Sequence, residues 1–194
     1  MLILFTDCEI QHIFTLDKHE ISLITYGRFG NDFLEKLSGE VADGFGLPVV
    51  IHENYSDLSA CFDPARRQYN ANQLLKLVDI FPTENSVKKI GLFQVDLFIP
   101  ILTFIFGQAE FKGKNGVASV YRLRNEQYGL KADNAILAER FSKVVLHELG
   151  HAFGLIHCHV PNCVMRPSTY VEDIDQKKPH FCNKCREELN LLMG

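Results

Sequence analysis

Between His147 and Cys185 the chain carries two sets of metal-ligand side chains in immediate succession, and any fold it adopts must gather each set to a point. The stretch reads HELGHAFGLIHCHVPNCVMRPSTYVEDIDQKKPHFCNKC. His147, His151 and His157 make an HExxHxxGxxH pattern, with Glu148 after the first histidine and Gly154 ahead of the third. Cys158, Cys163, Cys182 and Cys185 make the second set, which starts at the residue after His157.

The histidine spacing is mechanical. On an α-helix, residues four apart lie about 40° apart around the axis, so His147 and His151 present their rings on one face and can grip one ion. Glu148 sits about 100° further round, where it can reach a water on that ion without being a ligand, as a general base must. Gly154 can take the left-handed conformation that ends a helix, turning the chain so that His157 approaches from another direction. Three neutral imidazoles leave the fourth tetrahedral position of a zinc ion open for water. Met165 follows a few residues on. HExxH alone arises by chance on helices; the glycine, the third histidine and the methionine together make a catalytic-type zinc site the expectation.

CxxxxC followed by CxxC is the usual ligand pattern of a closed structural zinc site. Two disulfides or unligated core thiols are the competing readings, and nothing else in the chain suggests secretion. Because His157 and Cys158 are adjacent, a zinc held by the cysteines would clamp the backbone carrying the third histidine.

HELGHAFGLIHC, continuing through the C.M and C..C elements, resembles the archaemetzincins, a metallopeptidase family of the metzincin clan. The resemblance extends upstream through Phe45-Gly46-Leu47-Pro48, Asp63-Pro64 to Gln68-Tyr69-Asn70, and Asp96-Leu97-Phe98-Ile99-Pro100 to Phe106-Gly107, so that it covers most of residues 20–190. It implies that His147, His151 and His157 bind a catalytic zinc, that Glu148 is the base, that Met165 forms the Met-turn beneath the metal, and that the four cysteines hold a second zinc. It also implies an edge strand above the cleft that pairs with extended substrate, for which residues 116–123 are the candidate. The first 18 or so residues fall outside the resemblance.

At 194 residues and 46% hydrophobic content the chain suits one globular unit with a real core. A net charge of −4 argues against a general nucleic-acid or anionic-membrane surface. Residues 1–5 are apolar, but no basic residue precedes them and Asp7 and Glu9 follow, so they are too short for a signal core. The apolar run 97–107 contains Pro100 and falls short of a spanning helix. A cytoplasmic location, with zinc holding reduced thiols, is therefore expected. Cys8 and Cys61 remain as thiols. No repeat or heptad argues for assembly, and the oligomeric state is left open.

Periodicity predicts a strand at 21–26, a helix at 31–45, a strand at 47–52 parallel to the first, a loop over 54–69, a helix at 71–80 and a buried strand at 89–96. The long helix should start at Asp133 and run to about residue 155, packing Phe141, Val145, Leu149 and Ala152 on the sheet while its histidines face outward. A closing helix is expected over 182–192. The expected fold is α/β (α+β), metzincin-like, with a mixed twisted sheet, the active-site helix, and a small zinc-stapled C-terminal subdomain. Its boundary falls between residues 1–154 and 155–194.

These expectations add up to a zinc-dependent metallopeptidase that hydrolyses peptide bonds of a peptide or protein substrate with a zinc-bound water activated by Glu148, and that carries two Zn2+ per chain. Tyr170 is a candidate helper for the oxyanion. A lysine or arginine near the cleft would read a substrate terminus, and sequence alone leaves that residue unnamed. Two other classes share parts of the pattern. Some zinc-dependent endoribonucleases carry three histidines at HxxxHxxxxxH spacing, but without a glutamate after the first. A non-enzymatic zinc protein that binds peptides or a partner could carry every residue named here.

Overall fold

A computed structural model of the chain describes residues 19–194. Expectations about residues 1–18, Cys8 and the apolar start among them, lie outside the described residues. The β-branched run near the start forms β1 (Glu20–Tyr26), with Ile21 to Tyr26 all buried. Next comes α1 (Asn31–Phe45), which buries Leu34, Leu37, Val41 and Phe45 from one face and stops at Gly46, whose left-handed backbone (φ 66°) closes its last turn. The second strand, β2 (Val49–Asn54), starts two residues later than predicted, after Pro48, which has no N–H to give a ladder. It lies parallel to β1, with Ile21 opposite Val49.

The predicted loop over 54–69 contains β3 (Phe62–Asp63) and β4 (Gln68–Asn70), an antiparallel pair too short to leave a period in the sequence. Asp63 Oδ1 accepts from the amides of Ala65 and Arg66 and shapes the connecting turn. Asn70 then caps α2 (Ala71–Ile80) by accepting from Asn72 N. Next come β5 (Ser86–Phe93), β6 (Leu97–Phe98), β7 (Gly107–Ala109) and β8 (Asn115–Ser119). The main sheet runs β2-β1-β5-β8-β7, parallel except for β7, while β3, β4 and β6 form a second small sheet.

Residues 116–123 are thus not the edge strand. β8 is paired on both sides, by β5 and by β7, and the chain turns into a single helical turn at Tyr121–Leu123. Among the described residues the edge belongs to β7, three residues hidden at the end of an apolar run.

The remaining helices are α3 (Asn134–Phe153), α4 (Val171–Asp175) and α5 (Asn183–Met193). Asp133 caps α3, accepting from Ala135 N and Ile136 N, as its position in the sequence suggests. Strand residues alternate between two cores. Ile21, Leu23, Ile90, Leu92 and Ala118 pack with α1 and α3; Ile24, Tyr26, Phe93 and Val117 pack with α2. Residues beyond 154 contribute Cys158, Val164, Met165, Ile174, Phe181 and Leu189 to the first core.

That covering layer changes the surroundings of α3. Phe141, Val145, Leu149 and Ala152 are buried as expected, but so is His147, because the chain after Gly154 folds back over the helix face that would otherwise meet water. Arg140 fastens this layer. Its guanidinium makes a two-point pair with Asp175 at the end of α4 (2.7 Å each) and donates to Leu123 O and Asn125 Oδ1.

Candidate metal centre

Two groups of ligand side chains converge, and they are the two read from the sequence. His147, His151 and His157 offer nitrogens that all lie within 4.8 Å of one another, and the sulfurs of Cys158, Cys163, Cys182 and Cys185 do the same. His147 and His151 stand one turn apart on α3. Gly154, at φ 112°, ends the helix with its N–H on Gly150 O and His151 O, and the turn brings His157 round to the same point. His157 is the exposed member, so the centre opens on that side.

The histidines are prepared for a cation. His147 Nδ1 donates to Val164 O and His151 Nδ1 donates to Leu155 O, each at 2.8 Å. A carbonyl can only accept, so both Nδ1 atoms carry hydrogen and each Nε2 is left with its lone pair. Burial holds both rings below the ordinary histidine range, His147 well below it, and so keeps them neutral. The two Nε2 atoms face each other at 3.1 Å. Two lone pairs at that distance repel unless a positive centre sits between them, which is what a shared metal ion provides. The three-histidine set therefore fits zinc.

The cysteines fit as well. Cys158 Sγ and Cys182 Sγ are 3.8 Å apart, close to the roughly 3.8 Å edge of a tetrahedron of thiolates at about 2.3 Å from zinc. Backbone N–H groups of Val160 and Cys182 point at Cys158 Sγ and Cys163 Sγ, support that thiolates use. All four are free thiols, as is buried Cys61, which stands apart from both sets. Met165 is fully buried against α3, and its carbonyl accepts from Cys158 N at 3.0 Å, so its turn and the segment carrying His157 and Cys158 are tied together. A side-chain carbon at Gly150 would stand 2.5 Å from Met165 Sδ, so the absence of one lets helix and turn touch.

Glu148 borders a cleft of about 640 Å³ with the three histidines, the 102–109 segment, residues 167–170, Ile174 and Lys177. Its carboxyl is pushed up to about 8 by burial, against the opposing charge of Lys177. Lys177 is pushed down to about 8 by its own burial. β7 forms the upper rim, and Gly107 lies against Glu148. Sequence reading names neither that strand nor Lys177 as part of the cleft. Tyr170 stands at the cleft mouth, 65% exposed.

Two of the upstream blocks, 63–70 and 96–107, form the cleft's scaffold. Gln68 donates to Asp96 Oδ2 and Thr103 O, Arg122 pairs with Asp96 through both its Nε and Nη2, and Arg66 donates to Leu102 O while stacking 4.5 Å over Phe98. These bonds hold the 99–106 loop that delivers β7.

An α/β sheet whose open edge and buried HExxH helix flank one cleft is the architecture of a zinc metallopeptidase. Comparison with known proteins agrees. The model of peptidase family M54 matches residues 40–191, and the chain belongs to that family. It is 37% identical to the archaemetzincin of Methanocaldococcus jannaschii, over 81% of this chain and 83% of the relative. It is 39% identical to that of Thermococcus kodakarensis, over 81% and 89%. Among solved structures, the archaemetzincin of Methanopyrus kandleri superposes with a TM-score of 0.80 at 32% identity, covering 91% of this chain and 96% of that one. A zinc-dependent peptidase from Methanocorpusculum labreanum gives 0.78 at 31%, covering 88% and 100%.

Proposed function

We propose that this metallopeptidase cuts peptide bonds with His147, His151 and His157 holding a catalytic zinc, Glu148 acting as general base, and Cys158, Cys163, Cys182 and Cys185 holding a second, structural zinc. The observation that carries the reading is the pair of facing Nε2 lone pairs beside a buried carboxyl at the floor of an open cleft. Zinc in the histidine site would supply Lewis acidity, acidifying a water and polarising the scissile carbonyl.

The chain's own groups do the rest. Val164 and Leu155 carbonyls fix the tautomers of two ligands. Glu148 removes a proton from the attacking water and delivers it to the departing amine, and a carboxyl whose burial raises its proton affinity can hold the proton between those steps. The free edge of β7 offers backbone groups to an extended substrate chain, which aligns the scissile bond over Glu148. Met165 supports the floor from below. Residues 1–154 and 155–194 act as two subdomains, the second brought to the histidines by the cysteine staple. The substrate is a peptide or protein; among the described residues lining the cleft one is a lysine and none is an arginine, which offers little to a phosphate backbone. Reduced thiols in the quartet suit a cytoplasmic setting.

The test is hydrolysis of a mixed peptide library at saturating zinc by the wild type and Glu148→Ala. Cleavage by the wild type, lost in the variant by a factor of about 1,000 or more while zinc content is unchanged, is expected. A variant that still cuts would remove Glu148 from the role of base. No cutting by either protein would favour a zinc-organised peptide-binding surface.

A further inference from the structure

Lys177 is 5% exposed and lines the active-site cleft. Its Nζ donates to Val164 O at 3.2 Å and to Arg166 O at 2.6 Å. Among the described residues no carboxylate comes within 4.0 Å of it, although each of the other two ammonium or guanidinium groups buried at this face, on Arg140 and Lys143, has one. An ammonium has three N–H donors, so two carbonyls leave one hydrogen unused, and the opposing charges of Glu148 and Asp173 act on Lys177 only from beyond ion-pair distance. Holding two carbonyls needs no charge; a glutamine amide would serve. Among the described residues lining the cleft Lys177 is the one lysine or arginine, and the walls around it include Phe104, Phe106, Val144 and Ile174. In so apolar a setting an incoming anion is attracted far more strongly than at the surface. Ser168 Oγ, buried and without a partner, lines the same cleft and offers a further donor.

We propose that Lys177 binds a substrate carboxylate next to the bond being cut, either an Asp or Glu side chain or the chain's own C-terminus, and so gives this peptidase a preference for acidic sites. The inference rests on the peptidase reading above. The geometry favours a carboxylate over a phosphate or a neutral group, because the remaining capacity of Lys177 is one hydrogen and one charge.

The experiment uses the zinc-loaded full chain and blocked peptides that differ at one residue, Glu, Gln, Leu or Lys, placed in turn on either side of the cleaved bond. A further pair ends directly after that residue, with a free carboxylate or an amide. In the wild type, kcat/KM for Glu should exceed that for Gln by about tenfold or more, the scale of one charge-assisted hydrogen bond. If the carboxylate comes from the chain end, the same ratio separates the free terminus from the amide instead. In Lys177→Gln, which keeps a donor for the two carbonyls and loses the charge, the ratio should fall to about one. Because it is read within one protein, a general loss of activity cancels. Should that variant not fold, Lys177→Met carries the same comparison.

Binding keeps the two readings apart. Glu148→Gln protein, titrated with fluorescent versions of the Glu and Gln peptides, should bind Glu about tenfold more tightly even if no wild-type turnover were found. Absence of turnover with that preference intact would sink the peptidase reading alone. Equal rates and equal binding for Glu and Gln in the wild type, or a preference that survives Lys177→Gln, would overturn the role of Lys177.

Discussion

Gly107 has no room for a side chain. A Cβ there would lie 2.7 Å from Glu148 Cγ and 2.8 Å from Val117 O, so the edge strand and the proposed base are packed against each other through a glycine. Gly107→Ala should displace both, costing about 1–3 kcal/mol of stability and lowering kcat/KM by tenfold or more. Denaturant unfolding and peptide kinetics on the same preparation would check the two effects, and unaltered kinetics would show that β7 does not set the position of Glu148. A second residue-scale consequence concerns pH. Tyr26 is buried against Phe93, and burial pushes its phenol up to about 12 from the ordinary 10.0. The folded state therefore holds this proton more tightly than the unfolded chain, so the stability it contributes is present below pH 10 and lost as pH rises towards 12. Tyr26→Phe should flatten that part of the melting temperature against pH curve, whereas a curve parallel to the wild type's would refute the assignment.

At the scale of elements, α3 is the beam on which the site is hung. Its first turn is capped by Asp133, its middle is pinned by Arg140 to α4, and its end is turned by Gly154. The segment after it has one short helix before α5, and much of its order comes from Cys158 and Cys163 meeting Cys182 and Cys185. Cys182→Ser should loosen this whole segment, because a structural zinc stabilises only the chain whose ligands it gathers. We expect the melting temperature to fall by roughly 10 °C or more. An unchanged melting temperature would count against zinc in the quartet. Activity should fall too, since His157 shares the backbone that Cys158 anchors.

Across the molecule the two sites should differ in how firmly they hold metal. The quartet is mostly buried and closed by four thiolates, while His157 leaves the histidine site open to water. Metal analysis should find two zincs in the wild type and one in His151→Ala, with the remaining zinc resistant to a mild chelator. A single zinc in both would refute the two-site reading. Beyond the metals, the sequence made α1, α2 and α3 readable almost to the residue, because amphipathic helices bounded by an Asn or Asp cap (α2, α3) or a closing glycine (α1, α3) leave a strong local pattern. It made the two converging groups of histidines and cysteines readable because sharing one ion permits few residue types at few spacings. Strands of two or three residues leave no such pattern, which is why β3, β4 and β7 went unseen and the edge was assigned to β8. Sequence by itself thus determined which histidines and cysteines gather into groups, the helix that carries two of the histidines, the turn at Gly154 and the class of chemistry. Only the tertiary structure decided which strand borders the cleft, that His147 is buried, and that Lys177 is buried in the cleft wall instead of lying in solvent. Those properties depend on contacts between segments far apart in the chain, which composition and spacing do not encode.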